Sequence, residues 1–376
     1  MKLGIIRLYV GESGKVGYYN IQEIGLAKSL AKKGIYTDIF FIVSKKNNNE
    51  VIVKNISDKV RVIYIPSVHI ANHGIINPKF ILDYHIDIVH LLSDNQIMVP
   101  SFNKFCKKNN INIYNYIGTI SSDTNNKLKK IFMNTIANRN IKCYKNSKVI
   151  VKTPSVAEEL KAMGINNLKV IPVGLDLDVI PNLCDDRKKL REKLNIPVDK
   201  RILIFVGRLE EYKEPLKAIE LIRALNKTSD NYILIMIGQG SLKEKVDKLI
   251  NNYNLSNIIL IDKIENSKIH NYYKASDIFL NFNSKEIFGM SILEAMNQGC
   301  KVIAKNAPGP SFIIKDKVNG IIMEDFDTSK WIQKIKSIDE NNNISKEAKK
   351  RISKCFNWDI ISDQYINLFK EIRGYI

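Results

Sequence analysis

Short runs rich in apolar and β-branched residues alternate with stretches of helical periodicity along the whole chain. No other feature limits the possible folds so sharply. In the first half the runs fall at 3–10, 37–43, 60–66, 87–92, 111–118, 149–153 and 168–173. Most are continuous rather than alternating in polarity, as in strands buried on both faces of a parallel sheet. Between the first two, residues 18–33 place Ile21, Ile24, Leu26, Ala27, Leu30 and Ala31 on one face and stop at Gly34. That pattern predicts a helix with a glycine terminator. Strand, glycine-bearing loop, helix and strand make one βαβ unit. The second half repeats the plan, with strands expected at 202–206, 232–237, 258–261, 277–282, 301–304 and 320–323. Helices such as 215–225, 242–252 and 291–297 lie between them. Residues 176–200, with Pro181, Pro197 and many charges, are expected to hold a short helix and the crossing between the halves. The fold class is therefore α/β, with two doubly wound domains facing a central cleft. Such sheets bind ligands beyond the carboxyl ends of their strands. Functional residues are sought there.

The 376 residues, 45% apolar and 26% charged, suit a folded two-domain protein and exclude broad disorder. No run approaches the ~18 apolar residues of a membrane span, and Arg7 follows the first apolar residues too soon for a signal peptide. Five cysteines (Cys106, Cys143, Cys184, Cys300 and Cys355) form no CxxC pair. Neither a disulfide framework nor a zinc site is indicated, and a reducing, cytoplasmic setting fits. The formal charge is +19. Residues 1–175 carry 25 Lys+Arg against 11 Asp+Glu, and residues 176–376 carry 33 against 28. The first half therefore holds most of the excess. Its partners could be nucleic acid, an anionic membrane or an anionic substrate, unless the lysines only solvate the surface. No zinc-finger, RNP-like or basic-zipper pattern is present, so nucleic acid is the weaker option.

After the expected strand 202–206 come Gly207, Arg208 and, five residues on, Lys213. A glycine permits close backbone approach, and an arginine fork with a lysine point charge suits a diphosphate. A strand-end arginine is more often a surface ion pair. After the strand 277–282 stands Ser284-Lys285-Glu286-Ile287-Phe288-Gly289-Met290-Ser291-Ile292-Leu293-Glu294-Ala295-Met296. Glu286 precedes an expected helix start, where Gly289, Met290 and Ser291 could offer backbone N–H groups to an anion. Glu294 lies about a turn into that helix in apolar company. A buried carboxylate there needs donors, either ligand hydroxyls or neighbouring side chains.

Glu286 and Glu294 form an E-x7-E pair inside E-x-F-G-x-S-x-L-E-A-M, downstream of G-R-L-x-x-x-K. With these motifs the chain resembles the retaining glycosyltransferases of the GT-B fold, family 4 (glycosyl transferases group 1). Ile237-Gly238-Gln239-Gly240, the stretch from Tyr272 to Asp277, the stretch from Gln298 to Ala304, and Asn319-Gly320 also match. The likeness is dense over about residues 200–325 and looser before them. It implies two Rossmann-like domains: 1–175 for the acceptor, 176–357 for a nucleotide-sugar donor, and a last helix at 358–376 crossing back to the first.

By that resemblance Arg208 and Lys213 would neutralise the donor diphosphate. Gly207 and the N–H groups of Gly289, Met290 and Ser291 would approach it, with Phe288 beside them. Glu294 would accept from ribose hydroxyls, Glu286 would contact the donor sugar, and the base would lie near Ile264. The implied activity is that of a hexosyltransferase-type (EC 2.4), retaining, metal-independent enzyme with no cofactor. UDP is the expected nucleotide, and the acceptor a glycan, lipid-linked in bacterial surface polysaccharide synthesis. The loop from Gly11 to Gly17, including Gly14, would meet donor phosphates and acceptor; it lacks the G-K-[ST] ending of a P-loop. Ile117 stands where many relatives have a histidine, which leaves His90 as either a polar contributor there or an ordinary satisfied strand histidine. Phe312 stands where relatives commonly have glutamate. The alternatives are a sugar-nucleotide epimerase or inverting transferase of the same fold, and a non-catalytic basic protein binding membrane or nucleic acid. The lysine-rich helices expected at 102–109 and 127–148, with apolar residues among the charges, predict peripheral docking on the inner face of the plasma membrane.

Overall fold

A computed structural model describes residues 1–10, 21–46, 49–120, 126–181, 183–227, 231–338 and 343–374. In chain order the first stretch gives β1 (Lys2–Arg7), α1 (Ile21–Lys32), β2 (Tyr36–Ser44), β3 (Ile52–Ser57), β4 (Val60–Ile70) and β5 (His73–Ile75). It continues through α2 (Phe80–Asp83), β6 (Ile88–Leu92), α3 (Val99–Lys108), β7 (Asn112–Ile117), α4 (Lys127–Tyr144), β8 (Lys148–Val151), α5 (Pro154–Ala162) and β9 (Leu168–Val170). The second stretch gives α6 (Arg187–Lys193), β10 (Arg201–Val206), a 3₁₀ turn (Glu211–Lys213), α7 (Pro215–Asn226), β11 (Tyr232–Ile237), α8 (Lys243–Asn252) and β12 (Ile258–Ile261). Then follow α9 (Asn266–Ala275), β13 (Ile278–Asn281), α10 (Met290–Gln298), β14 (Lys301–Lys305), α11 (Pro308–Ile313), β15 (Ile321–Met323), α12 (Thr328–Ile338), α13 (Asn343–Cys355) and α14 (Trp358–Arg373).

The chain divides into two compact units, one of Met1–Asp176 with Asn357–Ile376 and one of Leu177–Phe356. The first unit's sheet runs β3-β4-β2-β1-β6-β7-β8-β9, with β5 paired to β4. Its pairs are parallel except β3–β4 and β4–β5. The two antiparallel strands have no counterpart among the sequence expectations. β3 is an edge strand exposed along most of its length, and β5 has three residues, so neither produces an apolar run. The helix expected to end at 148 stops at Tyr144, because Lys148 already opens β8. In α3 the structure corrects the expectation of exposed apolar residues: Val99, Phe102 and Cys106 are buried. In α4 the expectation is met, since Leu128, Ile131 and Phe132 are 79%, 64% and 43% exposed.

Helix α14 closes this unit against α1. Asn357 caps it, accepting from the Ile360 N–H at 3.0 Å, and Ser362 Oγ meets Ser29 Oγ at 2.9 Å. Lys32 and Lys33 pair with Asp359 and Asp363, adding charge contacts at the rim. Tyr365 and Phe369 on its buried face reach Tyr114 with ring centroids 6.3 Å away.

The second unit holds a six-stranded, wholly parallel sheet in the order β12-β11-β10-β13-β14-β15. Its core centres on Trp331 of α12, fully buried, with its ring 4.7 Å from Phe282. The reversal of strand order falls between β10 and β13, which places the ends of these two strands at a switch point. No helix among the described residues is long and apolar enough to cross a membrane. The five cysteines are free.

Candidate active site

The loops leaving β10 and β13 at their carboxyl ends bring together Arg208, Lys213 and Glu286 of the residues singled out in the second unit. Gly207 follows β10, its N–H bonded to the Ile237 carbonyl at 3.0 Å. Arg208 lies over the Tyr212 ring at 5.4 Å, and Lys213, ending the 3₁₀ turn, lies at the same distance from that ring. Tyr212 thus holds two cations on one aromatic surface. Its own phenol is raised by burial, against the opposing influence of Arg208. Glu210 is tied back by Ser241, whose Oγ and N–H reach its carboxylate at 2.7 and 3.1 Å. These bonds hold its carboxyl below the usual range.

Lys213 Nζ pairs with Glu286 Oε2 across the two loops. Asn283, buried in the β13–α10 connection, donates through Nδ2 to the same oxygen at 3.2 Å and accepts from the Lys285 N–H at 2.9 Å. Its N–H in turn donates to Asn281 Oδ1 at 3.0 Å. The loop is therefore a chain of Asx-type bonds that fixes the Glu286 side chain. Sequence reasoning did not pick out Asn283 or Tyr212. The short polar residues immediately after a buried strand were the available signal for the first.

Gly289 caps α10 at φ +99°, a left-handed conformation that side-chain-bearing residues adopt at a cost. The first N–H groups of α10, including those of Met290 and Ser291, emerge from this cap with no carbonyl one turn earlier to receive them. Gly309 at the start of α11 gives its N–H to the Glu286 carbonyl at 2.8 Å. A Cβ there would fall 2.0 Å from the Phe288 carbonyl oxygen, so the loop seats directly on α11. Phe288 is buried, its ring 6.1 Å from Phe356. Phe312 also turns to Phe356, at 5.5 Å, and its carbonyl receives Arg351 Nη2 at 2.7 Å.

Glu294 is 7% exposed on α10. Tyr273 of α9 donates its hydroxyl to Glu294 Oε2 at 3.2 Å, the neighbouring side chain that the sequence left unnamed. Burial pushes the carboxyl up to about 7, with the Tyr273 bond opposing. Ile264, half-buried, lies in the connection between β12 and α9.

In the first unit, His90 on β6 is 2% exposed and its Nδ1 lies 2.8 Å from the Tyr114 hydroxyl. Burial first, then the Lys152 charge, lowers it to about 3. Its rings of contact are Tyr116 and Tyr365, at 4.9 and 5.9 Å. The structure places it as a satisfied core histidine, the second of the two sequence readings. Ile117 is fully buried at the end of β7. Gly11 and Gly14 lie outside the described residues. Among the described residues no group of three or more His, Cys, Asp or Glu is arranged to hold a metal.

Residues 186–354 match the family model of glycosyl transferases group 1. An uncharacterized glycosyltransferase of Methanocaldococcus jannaschii is 29% identical over 262 residues, 67% of this chain and 65% of that protein. A D-inositol 3-phosphate glycosyltransferase of Xylanimonas cellulosilytica is 24% identical over 59% of this chain and 56% of its own. A lipopolysaccharide core biosynthesis glycosyltransferase of Rhizobium meliloti is 24% identical over 58% and 63%. The chain thus spans less than two thirds of each of these relatives' own length. Among solved structures, sucrose-phosphate synthase from Thermosynechococcus elongatus superposes with a TM-score of 0.78, at 20% identity and 100% coverage of both chains. Anabaena HepE in complex with UDP and glucose gives 0.74, at 18% identity over 99% of this chain and 100% of that one. The chain has the GT-B fold, and the match to the glycosyl transferases group 1 model lies almost wholly within its second unit.

Proposed function

We propose that the protein is a retaining glycosyltransferase that moves a sugar from a nucleotide-sugar donor to a carbohydrate acceptor. The observation that carries this reading is the Lys213–Glu286 pair, with Arg208 on the same Tyr212 ring as Lys213, inside the segment that matches the group 1 model. Arg208 and Lys213 neutralise the donor diphosphate and the charge that grows on it as the glycosidic bond breaks. The first N–H groups of α10 add to this, with Gly207 and Phe288 shaping the wall. Glu286, held by Asn283, accepts from hydroxyls of the donor sugar. Glu294 accepts from the ribose, and Ile264 borders the base. UDP is the nucleotide we expect, a choice in keeping with the UDP-bound Anabaena neighbour.

The acceptor hydroxyl attacks the anomeric carbon on the face the diphosphate leaves, and the departing phosphate takes the hydroxyl proton. The products are the glycosylated acceptor and a nucleoside diphosphate. With two cations on the leaving group, the reaction requires neither a metal nor a cofactor. The first unit holds the acceptor, and the likeness to a lipopolysaccharide core enzyme favours a lipid-linked glycan of the cell surface. The N-terminal turn of α4, with Lys127, Lys129 and Lys130 around exposed Leu128 and Ile131, suits docking on an anionic inner leaflet from the cytoplasm.

A panel of nucleotide sugars assayed for nucleoside diphosphate release with acceptor glycans tests the reading. Release by the wild type, lost in Arg208→Ala and Glu286→Ala variants that still fold, supports it. Equal activity in those variants would sink it, and release of a nucleotide with an epimerised free sugar would assign the site to an epimerase instead.

A further inference from the structure

The carboxyl edge of the second sheet holds the residues described above, but its opposite edge carries a denser collection of charge. Arg201 opens β10, Lys301 opens β14, and Asp277 immediately precedes β13. Lys274 comes from the last turn of α9, Arg187 from α6, and Lys346 and Lys349 from α13. These residues, with Gln298, Gly299 and Ser345, wall a hollow open to solvent. A six-residue strand separates it from the loops of the candidate active site by roughly 20 Å.

Six cations face one carboxylate among the described residues of this wall. Asp277 is already shared: Arg187 Nη1 reaches its Oδ1 at 3.0 Å and the buried Arg191 reaches its Oδ2 at 2.7 Å. Arg201 approaches the same carboxylate at 3.6 Å. Lys274 Nζ meets the Leu183 carbonyl, and Lys301 Nζ meets the Ile338 carbonyl at 2.9 Å. Lys349 lies over Gly299, where a Cβ would come within 3.1 Å of its Cε. Asp185, which senses Lys274, is paired with Lys193. The carboxyl ends of α9 and α10 add about half a negative charge each, which still leaves the described residues of this wall at roughly +4. Burial, and after it this crowding, holds the Lys301 ammonium below its ordinary value, with Arg201 the largest charge acting on it. The second half of the chain carries a net charge of only +5, so the concentration is local.

We propose that this hollow is a second anion site, distinct from the donor site, that takes a compact, multiply charged phosphate group. The arginine and lysine side chains of its wall supply guanidinium and ammonium donors that fit phosphate oxygens, while Ser345 and Gln298 supply neutral polar wall. Cations converging on one hollow suit one phosphate or diphosphate group; a nucleic acid backbone would call for an extended basic stripe. The phosphate can arrive on a soluble molecule or on a lipid headgroup, and the chemistry of recognition is the same.

The test is calorimetric titration of inorganic pyrophosphate into the full chain. The double variant Arg208→Ala/Lys213→Ala silences the donor site, so that loss of the donor reading leaves this one standing. Saturable binding should persist in that variant and weaken at least tenfold in Lys274→Ala/Lys349→Ala. Lys346→Glu, at an exposed position on α13, is the second variant should the double substitution fail to fold, and it should weaken binding as well. Co-sedimentation with vesicles containing phosphatidylglycerol separates the sources. Vesicle binding lost in Lys274→Ala/Lys349→Ala assigns a headgroup, whereas pyrophosphate binding alone assigns a soluble phosphate. Absence of both, or pyrophosphate affinity unchanged in the lysine variants, overturns the proposal.

Discussion

Replacing Glu294 by glutamine should change how stability depends on pH, and the size of the change follows from its burial. The carboxyl is raised from 4.5 to about 7 by an apolar helix face, with one hydroxyl donor opposing. Between those values the folded protein binds a proton that the unfolded chain has released. Stability therefore falls as pH rises through this window and levels off above it. A shift from 4.5 to about 7 corresponds to about 3 kcal/mol at full ionisation, at roughly 1.4 kcal/mol per unit. The amide of the Glu294→Gln variant would keep the volume and an acceptor for Tyr273 without the charge. Urea unfolding of wild type and Glu294→Gln at several pH values from about 5 to about 8.5 measures the difference. The two should be close in stability near pH 5, and the variant should gain up to about 3 kcal/mol on the wild type by about pH 8.5. A saturating nucleoside diphosphate should flatten the wild-type slope, because ribose hydroxyls donating to the carboxylate favour its charged form. Parallel curves for the two proteins would refute the burial argument. A slope unaffected by the nucleotide would remove Glu294 from the ribose.

Other perturbations probe the loop and the surface. Asn283→Ala leaves the Lys285 N–H without its acceptor and frees Glu286, so it should cost about 1–3 kcal/mol in urea unfolding and lower donor turnover at least tenfold. Gly309→Ala drives a methyl into the Phe288 carbonyl; displacement of the loop should cost about 1–3 kcal/mol and weaken donor binding, read by thermal shift and calorimetry. Leu128→Asp/Ile131→Asp removes apolar surface from the exposed turn of α4 and should abolish flotation with anionic vesicles while leaving the melting temperature within about 2 °C. Flotation unchanged in that variant would exclude α4 as the docking element.

The parallel frame was readable because strands buried on both faces leave apolar runs in the sequence. β10, β11, β12 and β14 begin and end within a residue of where those runs predict. β3 and β5 escaped because edge pairing is made by backbone and needs no apolar signature. The motifs of the candidate site were readable as types and spacings: Gly289 does cap α10, and Glu294 is buried about one turn on. Their partners were not readable. Tyr273 reaches Glu294 from another helix, and the Lys213–Glu286 pair joins residues 73 positions apart, so only the strand order at the switch point brings them together. The basic hollow was invisible for the same reason. Its cations come from five separate segments, and the modest net charge of the second half hides their convergence.

The central claim is that Arg208, Lys213 and Glu286 hold a nucleotide-sugar. Calorimetric titration of the chain with UDP-glucose, and with other nucleotide sugars of the panel, measures this directly. The account predicts one saturable site for at least one donor, with affinity at least a hundredfold weaker in Arg208→Ala/Lys213→Ala of unchanged melting temperature. Binding of equal strength in that variant, or no saturable binding of any nucleotide sugar to the wild type, would contradict it.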